Sequence, residues 1–325
     1  MSNVKYHVVL PDEAGQRLDN FLLARFRGVP RSAIYRVVRK GQVRINKGRV
    51  KPDYRLCSGD RIRIPPVRPP EQKTEGPQTS KAVGERIEER IIHEDDSLLV
   101  IDKPAGLAVH GGSGISAGLI ENLRACRPDS AYFELVHRLD RATSGCMLVA
   151  KKRASLRELH RQLREGEVEK RYLALLGGRW ELGSRDIDAP LEVRERKGGE
   201  RFVTVNAAGK SARTHFRPIE FYADATLLEA TLDTGRTHQI RVHASWAGHP
   251  LAGDERYGNA EMNQKFTRLG LRRLFLHASA LGFTHPSSGE SVLFSAPLPK
   301  DLVEFLEKLP PPQGRRRARG RYSKG

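Results

Sequence analysis

Between residues 65 and 90 the chain loses all apolar periodicity, and this break constrains its fold more than any other feature. The stretch PPVRPPEQKTEGPQTSKAVGE is rich in Pro, Glu, Gln and Ser, as linkers are. A 325-residue chain interrupted in this way reads as two folding units. They are a small one at 1–65 and a large one at 91–309, joined by a linker at 66–90. The end, PPPQGRRRARGRYSKG at 310–325, reads as a disordered basic tail. No internal repeat is visible.

Charge follows the same division. The net charge is +18. Between Arg17 and Arg63, fourteen Lys or Arg face three acids, and six more basic residues follow between Arg315 and Lys324 with no acid. The large unit is therefore nearly neutral. Basic ends around a neutral body suit a protein whose ends grip a polyanion while the body does something else. No apolar run reaches the ~18 residues of a membrane span. MSNVKYHVVLPDEAG lacks the pattern of a signal peptide. Cys57, Cys126 and Cys146 form no CxxC pair and read as reduced, mostly buried thiols of a cytoplasmic protein.

In the small unit, QRLDNFLLARFR (16–27) places Leu18, Phe21 and Leu22 at helical spacing, and Gly28 and Pro30 end the helix. Ser32 suits the cap of a second helix, AIYRVVRK, with the apolar stripe Ile34, Val37 and Val38 and the basic residues Arg36, Arg39 and Lys40 on another face. Gly41 stops it. QVRIN alternates as a strand, Asn46-Lys47-Gly48 reads as a tight turn, and GDRIRIP as a second turn and strand.

The large unit mixes both elements. SLLVIDKP (97–104), KRYLALLGG (170–178), TLLEATLDTG (226–235) and LFLHASALGF (274–283) read as strands. SLRELHRQLREG, capped by Ser155, and HQIRVHASWAG (238–248) read as helices. This is α+β rather than repeated βαβ units.

Several chemistries are missing. No GxxxxGK[ST] phosphate loop exists, and GGSG (111–114) lacks the spacing of a dinucleotide fingerprint, so it reads as a flexible loop. His238 and His243 are five apart, which does not stack them on one helix face, and no cysteine pair completes a zinc site. What remains is VHRLDRATSGCMLVAKK (136–152), where Asp140 sits between Arg138 and Arg141. Alone, an Asp in an Arg-rich turn is more often a structural ion pair than a nucleophile.

HRLDRATSG resembles the catalytic motif of the RluA-type pseudouridine synthases. IDKPAGLAVHGG (101–112), EKRYLALL (169–176), TGRTHQIRVHASWAGHPLAGDERYG (234–258) and LFLHASALGFTHP (274–286) resemble the same family in order. The resemblance spans Ile91 to Leu309. The small unit resembles the S4 RNA-binding domain through RLDNFL, RSAIYRVVRKGQVRINKGRV and the GD turn before RIRI. These resemblances imply an α+β catalytic domain behind an RNA-gripping one. They imply RNA contacts at Arg31, Arg36, Arg39, Lys40, Arg44, Lys47 and Arg49. They also imply a 23S ribosomal RNA or early large-subunit precursor substrate, several target uridines including the peptidyl-transferase region, and action as a monomer without a membrane.

Pseudouridine formation breaks the N-glycosidic bond of uridine, turns the uracil and rejoins it through C5. No atom enters or leaves, so neither cofactor nor metal is implied. The resemblance assigns the nucleophile to Asp140, attacking either C1′ of the sugar or C6 of the ring. An ionised carboxylate in a buried site needs a cation beside it, and the resemblance gives that part to Arg241. It makes Tyr172 a stacking platform for the uracil, Ile240 and Leu276 the apolar floor, and Arg138 the side chain that fills the flipped base's place. Two other readings stand beside this one: a non-catalytic RNA-binding or ribosome-assembly protein using the S4 unit alone, and a synthase acting on transfer RNA.

Overall fold

The computed structural model describes residues 4–26, 29, 31–66, 79–112, 115–130, 132–195 and 201–312. Gly28, Pro30, Ser113, Gly114, the Pro-rich stretch at 67–78, the tail from 313 and the side chain of Arg31 lie outside the described residues. The chain divides into two compact units on either side of the Gln78–Thr79 bond.

In the first unit, β1 (Lys5–Val8), β2 (Arg44–Ile45) and β3 (Arg61–Ile64) form an antiparallel sheet in the order β1-β3-β2. Helices α1 (Leu18–Arg25) and α2 (Arg31–Arg39) cover it. Leu18, Leu22, Ile34, Val38, Val43 and Ile62 make the core, so both helical stripes read from spacing are the buried ones. α1 starts later than the pattern suggested, because Arg17 is extended and its guanidinium holds Asp19 through two bonds. α2 starts at Arg31, one residue before Ser32. Asn46 and Lys47 both adopt positive φ, 48° and 70°, the geometry of a tight turn with Gly48 following. Arg36, Arg39, Lys40, Arg44, Lys47 and Arg49 are all exposed.

The second unit opens with α3 (Lys81–Glu88), which packs on α4 (Leu119–Cys126). Residues 81–88 are therefore structured where the composition suggested linker. Their signal is short and weak, and burial of Gly84 and Ile87 against α4 makes the helix. Strands β4 (Ile91–Glu94), β5 (Leu98–Lys103), β6 (Glu134–Leu135), β7 (Ser144–Ala150), β8 (Glu169–Gly177) and β9 (Arg185–Asp188) follow, with α5 (Arg153–Glu165) between β7 and β8. After them come β10 (Leu191–Glu195), β11 (Arg201–Val205), β12 (Arg213–Phe221), β13 (Ala225–Leu232), α6 (Gln239–Trp246), α7 (Ala260–Arg268), β14 (Leu276–Thr284), β15 (Ser291–Ser295) and α8 (Lys300–Lys308). The main sheet runs β4-β5-β7-β14-β8-β13-β12-β9, with β15 beside β14 and β6 beside β7. Strands β10 and β11 pair separately.

Both faces of this sheet are covered, which explains the unbroken apolar runs. Along β5 and β7, Leu99, Ile101, Met147 and Val149 join one cluster while Leu98, Val100, Cys146 and Leu148 join another beneath α5. Along β8, Ala174 and Leu176 face the first cluster, and Leu175 faces the aromatic residues of α7 and α8. α5 begins at Arg153, so Ser155 lies inside it and is buried rather than capping. Of the cysteines, Cys146 is buried but Cys57 is exposed, against the expectation of mostly buried thiols. Among the described residues no helix is long and apolar enough to cross a membrane.

At the sheet centre, His277 on β14 is fully buried. Its Nδ1 pairs with Ser144 Oγ at 3.0 Å, and its Nε2 with the Ala296 carbonyl at 3.1 Å. Burial pushes its pKa down from 6.5 to about 4. As pH falls, the unfolded chain binds this proton first, so stability present above about 6.5 is lost progressively towards about 4. Urea melts should lose about 2–3 kcal/mol through this group between pH 6.5 and 4.5, at ~1.4 kcal/mol per unit. In His277→Gln the acid-side slope should shrink by that amount, and an unchanged slope would remove His277 as its source.

Candidate active site

Asp140 stands on the loop between β6 and β7, and its backbone carbonyl accepts the Thr143 N–H at 3.1 Å. The loop enters β7 through Gly145, at φ +112°. A Cβ there would lie 2.2 Å from the Ala278 carbonyl oxygen, so only glycine lets β7 approach β14. The Asp140 side chain retains 27% exposure. It opens onto a cleft of about 1790 Å³ lined by Arg138, Asp140, Tyr172, His238 and Arg241 among others.

Arg241, on α6, donates from Nη1 to Asp140 Oδ2 at 3.3 Å. Its Nε and Nη2 grip Asp254 Oδ2 and Oδ1 at 2.7 and 2.8 Å. Asp254 has no exposed side-chain surface and also accepts the N–H groups of Arg256 and Tyr257. Burial alone would raise the Asp254 pKa, but Arg241 and the two N–H groups hold it below the ordinary value. Arg241 in turn is raised despite its burial. The expected cation is thus beside Asp140, but a second acid aims it. Asp254 follows Gly253, whose φ of +73° and close approach to the Arg273 carbonyl position the turn.

Two further groups support the acid. Lys103 is fully buried, and its Nζ donates to the carbonyls of Pro104 and Leu107 at 2.9 Å and Arg141 at 3.3 Å. Burial pushes its pKa down to about 7, while the Asp140 charge works the other way. It ties the loop of the KPAG motif to the residue after Asp140. His238 caps α6 at φ +55°, a strained conformation for a non-glycine residue. Its Nε2 lies 3.7 Å from Asp140 Oδ2, and its Nδ1 2.8 Å from Tyr257 Oη. The Val203 N–H donates to that same oxygen, which directs the phenol proton to Nδ1 and leaves Nε2–H towards Asp140.

Tyr172 lines the cleft from β8 at 9% exposure. Burial, with the Asp140 charge, holds its phenol protonated well above the ordinary range. That suits a stacking face better than a base. Ile240 and Leu276 share the apolar cluster of Tyr172 and Leu139, but neither is among the lining residues. Arg138 is exposed on the lining. The lining carries eight Lys or Arg against four Asp or Glu, so a nearly neutral body holds a basic cleft. Among the described residues no cluster of His, Cys, Asp and Glu could hold a metal ion. In the first unit, Arg36, Arg39 and Lys40 line a shallow groove with Tyr35, and Arg44 donates to the carbonyl of Gly41 at the end of α2.

Sequence reading missed Asp254, Lys103 and His238. Asp254 had no readable signal, since its partner is thirteen residues away across a turn. All three stood inside the motif segments, yet nothing in their spacing points at Asp140 or Arg241.

Residues 97–246 match the RNA pseudouridylate synthase family, and residues 16–62 match the S4 domain. Ribosomal large subunit pseudouridine synthase C of Haemophilus ducreyi is 54% identical over 310 residues, covering 95% of this chain and 96% of that protein. The protein of that name from Escherichia coli K12 is 52% identical over 311 residues, with 94% and 97% covered. Human RNA pseudouridylate synthase domain containing 1 superposes with a TM-score of 0.56 at 27% identity, covering 68% of this chain and 87% of that one. Human RNA pseudouridylate synthase domain containing 4 shares the fold at a TM-score of 0.59 and 24% identity, covering 72% and 98%.

The clamp makes a prediction about stability. Asp254→Ala leaves a buried guanidinium with one of its three bonds and two backbone N–H groups without an acceptor. Urea denaturation should show a loss of about 3–5 kcal/mol. A loss under about 1 kcal/mol would mean that Asp254 does not hold Arg241.

Proposed function

The chain belongs to the RNA pseudouridylate synthase family, and on that premise we propose that it isomerises uridines of 23S ribosomal RNA with Asp140 as nucleophile. The observation that carries this reading is the Asp140 carboxylate, held open to a basic cleft by a guanidinium that a second, fully buried acid clamps.

The target uridine leaves its stack, at a cost of a few kcal/mol, and enters the cleft. Arg138, exposed on the lining, is placed to occupy the vacated position. Tyr172 offers its ring to the uracil. Asp140 adds to C1′ or to C6 while the N1–C1′ bond breaks. The uracil turns, C5 bonds to C1′, the bond to Asp140 breaks and frees the carboxylate, C5 loses its proton and N1 gains one, so the atoms balance without a co-reactant. Arg241 is already oriented before substrate arrives, so stabilising the reacting carboxylate needs little reorganisation.

The S4 unit, at 1–65, grips structured RNA through exposed basic residues at the end of α2 and the following turn, while residues 91–309 carry out catalysis. Protein-poor precursor RNA is the form in which such uridines are accessible, and the enzyme acts on it as a monomer in the cytoplasm. The names of the relatives, which refer to the ribosomal large subunit, favour this substrate over transfer RNA. The complete acid–cation–tyrosine set favours an enzyme over an RNA-binding protein alone.

A pseudouridine map of 23S ribosomal RNA from cells lacking the protein should lose specific sites. Wild type should restore them, and Asp140→Asn should not, with conversion reduced at least about 10⁴-fold. Equal restoration by both would leave an RNA-binding protein with another catalyst. An unchanged 23S map would move the substrate to transfer RNA.

A further inference from the structure

Lys170 on β8 is only 6% exposed, and it lines the cleft. It has no hydrogen-bond or ion-pair partner among the described residues. The charge of Asp233 favours its ammonium, but Asp233 is itself exposed and paired with Arg213 at 3.6 Å. Burial therefore lowers the Lys170 pKa. Its Nζ is not among the fully buried polar atoms, so the stem is packed away while the ammonium meets the cleft without a structural partner.

Its neighbours share one chemistry. His137 lies on the same wall and feels the charges of Lys170 and His160. Its Nε2 accepts the Leu148 N–H at 3.0 Å, which places its proton on Nδ1 as a neutral donor. Burial keeps it neutral, pushing its pKa down to about 4. Arg164, exposed on α5, lines the same cleft, and its charge acts on His160, whose charge His137 feels. This cluster thus offers an ammonium, an imidazole N–H and a guanidinium.

Spacing ties the cluster to the target nucleotide. Lys170 and Tyr172 are two residues apart on one strand, so they share a face about 6.6 Å apart along it. A base on Tyr172 would leave its sugar–phosphate within reach of the Lys170 end. Resting on the RNA reading of this cleft, we propose that Lys170, His137 and Arg164 form an anion subsite. It binds a backbone phosphate flanking the flipped uridine.

The test uses the full chain and transcribed 23S ribosomal RNA. Without RNA, Lys170→Met should be at least as stable as wild type, because a partly desolvated charge with no partner in the fold is removed. With RNA, its KM should rise about tenfold or more while kcat stays within about twofold. The slope of log Kd against log salt should fall by about one contact's worth, ~0.7–0.9. Lys170→Arg should restore both. Wild-type KM and salt slope in Lys170→Met, or a loss confined to kcat, would overturn the subsite. Should Lys170→Met fold poorly, phosphate-ethylation interference on the wild-type complex decides. Blocked binding at a phosphate adjoining a converted uridine supports the proposal, and its absence overturns it. Failure of the broader reading would look different, since wild type would then convert no uridine in this RNA while the salt slope still reports on Lys170.

Discussion

One guanidinium sets the geometry on which the site depends. Arg241 presents a planar fork of N–H donors, two aimed at Asp254 and one at Asp140. Asp254 is held by the backbone of its own turn, and that turn by the positive φ of Gly253. Constraint therefore runs from a tight turn, through a buried acid and a cation, to an acid open to the cleft. Lys103 restrains the same loop from the other side by bonding the carbonyl next to Asp140. Neither clamp is made for stability alone. An apolar trio of equal volume would bury at less cost, so retaining buried charge is consistent with a need for a fixed, ionised carboxylate.

The sheet supplies the rigidity behind these contacts. Its central strands are buried on both faces, and β7 pairs in parallel with the sequence-distant β14 through Ser144 and Gly145. That pairing brings the loop before β7 against the elements after β13. The chain Arg273–Ser144–His277–Ala296 crosses the same junction, each polar group finding its partner inside the core. Chemistry on loops over an immobile scaffold is the common solution to precision with access.

Charge is organised at two scales. Along the sequence it concentrates in the first unit and the tail. Within the second unit, which is nearly neutral overall, folding gathers twice as many basic as acidic groups onto one cleft. Ion pairs outside its lining, such as those of Arg127 with Glu88 and Glu94, take up acids elsewhere on the surface. A polyanion would meet attractive potential both at the gripping unit and at the reacting one.

Much of the fold was legible because it rests on local pattern. Apolar runs marked β5, β8, β13 and β14, and helical stripes marked α1 and α2. Motif resemblance pointed to Asp140, Tyr172 and Arg241, and these three converge on one cleft. Less was legible where burial decides. Residues 81–88 are helical because α4 covers them, and Ser155 is a buried residue of α5 rather than a cap. Ile240 and Leu276 read as pocket residues, and packing sets them in the apolar cluster of Tyr172 and Leu139. Sequence by itself determined the two-part division and the strand and helix periods, because these depend on residue type and near neighbours, while the acid was singled out only by motif resemblance. Only the tertiary structure decided that Asp254 aims Arg241, that Lys103 and His238 serve Asp140, and that Lys170 is buried without a partner. Those facts are through-space electrostatics between residues far apart in the chain, where sequence spacing carries no distance.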